Sequence, residues 1–158
     1  MPGKSLTIEQ ILSLLAGIAV LTAGLTPAQV KTSPNHDEWS ANDLLAHLRA
    51  CADVWGGCFL MMIAEDIPTI RAVNPTTWIM KTDDPELEFR PSFRSFVTQR
   101  AELPAILEPL PHEDWLRAAT VTGAGAVLER TVLFYAQWLA CHERQHVKQV
   151  EHIVSNVP

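Results

Sequence analysis

The sequence predicts an all-α fold, a single four-helix bundle. Three observations carry that expectation. Apolar residues recur at helical spacing over long stretches, eleven prolines leave gaps wide enough for four long helices, and no apolar–polar alternation runs beyond a few residues. The 158 residues make one ordinary domain, residues 1–158, with enough chain to enclose a core and no internal repeat.

The first helix is expected to start at Thr7, whose hydroxyl can cap while Gln10 returns the bond; Leu6 and Ile11 occupy the staple positions. Ile8, Ile11, Leu12, Leu15, Ile18 and Ala19 recur at helical spacing, and Gly24 is a natural stop. The apolar run from Ile11 to Leu25 is short for a membrane span, which needs about 20 apolar residues. Glu9 and Gln10 precede it, unlike the basic start of a secretory signal, so it reads as a buried bundle helix with no membrane partner. Thr26-Pro27 opens a short extra turn.

The second helix starts at Ser40, with Asp43 at its third position, and runs to about Glu65 ahead of Pro68. The loop from Ile67 to Glu88 is rich in Pro, Asn, Thr and Asp and long enough to cross the bundle, so helices two and three need not be antiparallel neighbours. A third helix is expected from Pro91 to Glu108, with Pro104 kinking or splitting it. A turn region containing Thr122-Gly123-Ala124-Gly125 leads to the last helix, from about Val127 to Val154.

Composition narrows the function classes. Hydrophobic residues make up 47% and charged ones 19%, the balance of a globular chain. A formal net charge of −6, with no Lys/Arg cluster, excludes a phosphate-neutralising face and hence nucleic acid as a partner. The cysteines are Cys51, Cys58 and Cys141, an odd count without a C-x-x-C pair. Cys51 and Cys58 lie about 10 Å apart along one helix, too far to bridge. Reduced thiols in the cytoplasm are the plain reading.

The densest chemical signal is Cys141-His142-Glu143-Arg144-Gln145-His146. Histidines four apart on a helix lie one turn and about 40° apart, so both imidazoles can reach one ion. Read as an H-E-x-x-H peptidase, the segment needs a third ligand further on and Glu143 as base. His152 is the only histidine that follows, and Gln149 stands where that pattern breaks the helix with glycine; on a continuous helix His152 points about 120° from His146. A carboxylate-bridged di-iron bundle needs two E-x-x-H copies, and this chain has one. A third ligand from another helix is the remaining reading. His47, beside Leu44, Leu45 and Leu48, lies on an interior face, although a lone histidine there is more often a satisfied core residue.

Trp39-Ser40 with His47 in the second helix, and His142, His146 and then Gln149 in the last, resemble the DinB-like superfamily, which includes the YfiT-like proteins and is regarded as a group of metalloenzymes. The likeness covers nearly the whole chain. It implies a four-helix bundle of up-down-down-up connection, a homodimer, and one divalent ion, zinc or nickel, held by His47, His142 and His146. Some relatives are thiol S-transferases using a low-molecular-weight thiol as cosubstrate; others are regarded as hydrolases.

Three neutral imidazoles leave the charge of a dication undiminished and a coordination position open, the arrangement of a catalytic rather than a structural site. Such an ion lowers the pKa of a bound water or thiol. The expectation is therefore a metal-dependent enzyme on a small-molecule substrate, thiol S-transferase-like or hydrolase-like, the alternative being a non-enzymatic metal- or ligand-binding bundle. Asp43 and Gln149 are candidates to orient the ligand imidazoles, Gln149 lying about 20° from the direction of His142. Tyr135 and Trp138 can line a pocket, and Cys51 and Cys58 fall on the His47 side of their helix. Glu143, about 100° from His142, reads as solvated or salt-bridged. His36, His112 and His152 read as surface residues. No residue is assigned a catalytic role.

Overall fold

In a computed structural model, which describes residues 2–79, 81–82 and 84–157, four long helices form the bundle. They are α1 (Pro2–Thr22), α3 (Ala41–Ala64), α5 (Phe89–Leu107) and α6 (Val132–Asn156), with short helices α2 (Pro27–Lys31) and α4 (Pro75–Ile79) in the connections. Helix α1 packs on α5 and α6, and so does α3. Between α3 and α5, Arg49 reaches Ser92 and Asp53 reaches Gln99, so their partners advance together and the two helices run the same way. Between α3 and α6, His47 lies against His142 and His146 and Trp55 against Trp138 and Tyr135, so these two run oppositely.

The helix starts follow local chemistry. Ser40 Oγ accepts from the Asp43 amide at 3.1 Å while Asp43 Oδ2 accepts from the Ser40 amide at 3.0 Å, closing the capping box on α3. Thr26 and Gln29 do the same for α2. Helix α1 begins at Pro2 rather than at Thr7, and the side chains of Leu6 and Thr7 lie outside the described ones. Pro104 does not split α5. It sits in the last turn, where one missing N–H costs little before the helix ends at Leu107.

The expectation of helices without strands is corrected. A three-stranded sheet, β1 (Thr69–Arg71), β2 (Ala118–Thr122) and β3 (Leu128–Thr131), closes one end of the bundle in the order β1-β2-β3. β1 pairs parallel to β2, and β2 antiparallel to β3 through a hairpin in which Gly123 and Gly125 take φ of 81° and 92°. Residues from Leu128 therefore belong to a strand, and α6 starts at Val132. Thr131 ends β3 and caps α6, its Oγ1 accepting from the Phe134 amide at 3.1 Å.

The core has two parts. At the sheet end, Phe59, Met62, Leu107, Trp115, Val121 and Leu139 pack together. At the other, Leu14, Ile18, Leu44, Leu45, Phe96 and Val150 do so. Among the described residues α3 is the one helix that by length and composition would pass for a membrane span, yet half of its apolar stretch is buried within the bundle.

Candidate metal centre

His47 lies two turns into α3, where Leu44, Leu45 and Leu48 bury that helix; it is 7% exposed. His142 and His146, one turn apart on α6, are half-buried and face it. Ring centroids are 4.9 Å apart for His47–His146, 5.6 Å for His47–His142 and 4.4 Å for His142–His146. One donor atom from each of the three lies within 4.8 Å of the others. The structure thus brings together the three histidines that the sequence singled out.

The donor set fits a divalent ion. His142 Nε2 and His146 Nε2 stand 3.1 Å apart. Two nitrogens sharing one tetrahedral zinc at about 2.05 Å would be about 3.3 Å apart. Nδ1 of His47 and Nδ1 of His142 are buried with no hydrogen-bond partner among the described residues. Protonation is disfavoured at all three rings. Burial, then the neighbouring His146, lowers His47 to about 4. Burial, followed by His146, His47 and Arg100, lowers His142 to about 4. Burial also lowers His146, with its bond to Gln149 opposing. Neutral imidazoles are the form a metal requires.

Gln149 Oε1 lies 2.9 Å from His146 Nδ1, which leaves Nε2 of that ring to face His142. Gln149 thus partners His146 and not the His142 ring that its helical phase suggested. Asp43 partners no histidine, because its carboxylate is engaged by Ser40. Cys51 Sγ is 3.4 Å from His47 Nε2, but Cys51 is outside the group of mutually close donors. Burial pushes its thiol up to about 12, against the opposing charge of Arg100. Cys58 packs instead toward the sheet-end core.

Aromatic rings wall the cluster. Trp138 stacks on His142 at 4.8 Å, Trp39 packs on His47 at 5.1 Å, and Trp55 bridges Trp138 and Tyr135. A cleft of about 350 Å³ adjoins His146, lined also by Asp37, Glu38, Trp39, Gln149 and Ile153. A second hollow of about 310 Å³, bounded by Leu25, Pro27, Val30 and Phe89, contains none of the histidines.

Two other sequence readings are settled by position. His152 is exposed and pairs with Glu38 at 2.9 Å, on a helix that continues unbroken to Asn156. Glu143 is 1% exposed and forms a salt bridge with Arg100, itself 1% exposed. It is salt-bridged, as its phase allowed, but in the core. With neither a third ligand at His152 nor an accessible base at Glu143, the peptidase arrangement is absent. His36 and His112 are exposed.

A helical bundle with a three-histidine cluster between two of its long helices defines the class of protein. A family model described as the DinB superfamily matches residues 11–150, and the chain belongs to that superfamily. No curated protein matches the sequence. Among solved structures, YfiT from Bacillus subtilis, described as a probable metal-dependent hydrolase with an unusual four-helix bundle topology, is similar in fold. The TM-score is 0.82 at 16% identity, over 95% of this chain and 85% of that one.

Proposed function

We propose that this protein is a metal-dependent enzyme acting on a small molecule, with His47, His142 and His146 holding one divalent ion, zinc or nickel, and leaving a coordination position open. The observation that carries this reading is the convergence of three imidazoles from α3 and α6, two of them with facing Nε2 atoms 3.1 Å apart. A bound divalent ion supplies Lewis acidity and brings the pKa of water or a thiol toward neutrality.

The chain's own residues prepare that position. Gln149 fixes the His146 tautomer by accepting from Nδ1–H. Trp138 stacks on the face of His142 and Trp39 packs at a tilt against His47, restricting both rings. The cleft beside His146 seats a small molecule. Hydrolysis is the favoured reaction, because Asp37 and Glu38 line that cleft and no Lys or Arg among the described residues lines it to receive an anionic cosubstrate. The description of YfiT as a probable metal-dependent hydrolase points the same way. Thiol S-transfer is the second reading, favoured by the three-imidazole donor set, which leaves room for a thiolate. An up-down-down-up connection, a homodimer and a cytoplasmic location belong to the same proposal. The parallel α3–α5 pair supports the first and the family resemblance the second, while three unbridged cysteines support the third.

Cobalt-loaded protein distinguishes the reactions. Metal-dependent cleavage of 4-nitrophenyl acetate, lost in His142→Ala, is expected, with no new near-ultraviolet band when glutathione, mycothiol or bacillithiol is added. A saturable thiolate-to-cobalt band that persists in Cys51→Ser would replace hydrolysis by thiol transfer. Bound metal with neither response would leave a non-enzymatic bundle.

A further inference from the structure

We propose that Glu143, by neutralising the buried Arg100, keeps an uncompensated positive charge from weakening the hold of the three histidines on a dication, an inference that rests on the metal-site reading above. Arg100 on α5 and Glu143 on α6 are each 1% exposed and form a salt bridge. Glu143 directly follows His142 in the chain. The Arg100 charge bears on His142 and on Cys51, and Cys51 Sγ lies 3.4 Å from His47 Nε2. The ion pair thus ties α5 to α6 at the residue next to His142, in the interior of the bundle.

The sign of the nearby charge decides the effect. Three neutral imidazoles offer no charge to balance an ion, so the nearest ionised groups decide the local potential. In the interior such charges act through an effective dielectric constant of about 20 instead of about 80, and salt screens them little. Arg100 alone would repel a dication, Glu143 alone would attract one, and the pair together is nearly neutral. An apolar pair of the same volume would hold α5 and α6 together as well or better, because burying two charges carries a desolvation cost. Helix packing alone therefore does not require the pair, and with Arg100 buried here it is Glu143 that keeps the potential near the histidines close to neutral. Arg100 and Glu143 act through the ligands and are positioning residues.

The test measures zinc affinity of the full-length protein by competition with a chromophoric chelator, for wild type, Glu143→Gln, Arg100→Gln and the double variant, with circular dichroism to confirm folding. Glu143→Gln is expected to weaken binding by about tenfold or more, because it leaves the arginine uncompensated. Arg100→Gln should bind at least as tightly as wild type, and the double variant should return to within about threefold of it. These differences should persist between low and high salt. If a neutralising variant does not fold, the charge-retaining Arg100→Lys and Glu143→Asp take its place and should keep wild-type affinity within about threefold. Equal weakening by Glu143→Gln and Arg100→Gln, or a large loss in a folded charge-retaining variant, would overturn the inference. Failure of wild type to bind zinc would remove the metal site itself and this inference with it. Tight wild-type binding without the expected order would overturn the inference alone.

Discussion

His146 and His152 lie six residues apart on α6 and meet opposite surroundings. His146 is half-buried, its Nε2 3.1 Å from that of His142 and its Nδ1 bonded to Gln149. The His152 side chain is 54% exposed and pairs with Glu38 at the surface. Six residues rotate a helix by about 240° and raise it by about 9 Å, so one histidine faces α3 and the other faces water. Helical phase against a packed neighbour, and not the density of histidines in a segment, makes a ligand set. Glu143 shows the same thing from the other side: one residue from His142, it points into the core and pairs with Arg100.

The contrast breaks most sharply at the ligands. The double substitution His142→Ala/His146→Ala should lower zinc affinity by roughly a hundredfold or more, since removing mere orienting partners already costs 10–100-fold. It should also abolish the rise in melting temperature that added zinc produces in wild type. Equilibrium dialysis and thermal melts read both effects; unchanged affinity would assign the ion to some other place.

Acid separates the two environments next. His47 and His142 have folded-state values near 4, below the unfolded value of about 6.5. The unfolded chain therefore takes up protons first as pH falls. Metal-free stability should decline as pH drops from about 6.5 toward 4, and these two groups should add no further slope below that. Urea unfolding across this range should give a shallower decline in His47→Ala/His142→Ala. In the zinc-loaded protein the decline should be steeper, because the ion leaves as its ligands protonate.

A smaller effect is expected at Gln149, whose amide orients His146: Gln149→Ala should weaken zinc binding by about tenfold with little change in metal-free stability. The smallest belongs to His152. Its exposed pair with Glu38 should make His152→Ala cost less than about 0.5 kcal/mol in urea unfolding, with zinc affinity unchanged.

Much of this was legible in the sequence where the signal is local. The i, i+4 spacing presented His142 and His146 together, and Ser40 with Asp43 marked the start of α3. His47 was singled out only through the family resemblance, because a histidine among leucines looks the same whether it binds metal or packs. The sheet escaped because its strands are three to five residues long, too short for alternation to register; only Ala119 and Val121 within β2 are buried. Arg100 escaped altogether. Its burial depends on a partner from another helix, and the phase of Glu143 allowed solvent as readily as a salt bridge. Asp43 misled for the opposite reason, since its helix-start role consumed the carboxylate that its position offered to His47.

Everything proposed for this site depends on one ion being held by an open set of three imidazoles. X-ray absorption of the zinc-loaded full chain tests it most directly, together with metal counting on the same sample. One ion per chain is expected, with three imidazole nitrogens at about 2.0–2.1 Å, a further light atom and no sulfur; His47→Ala should lose the third imidazole. A sulfur at about 2.3 Å would contradict it by making Cys51 a ligand, and so would an ion whose spectrum is unchanged in His47→Ala.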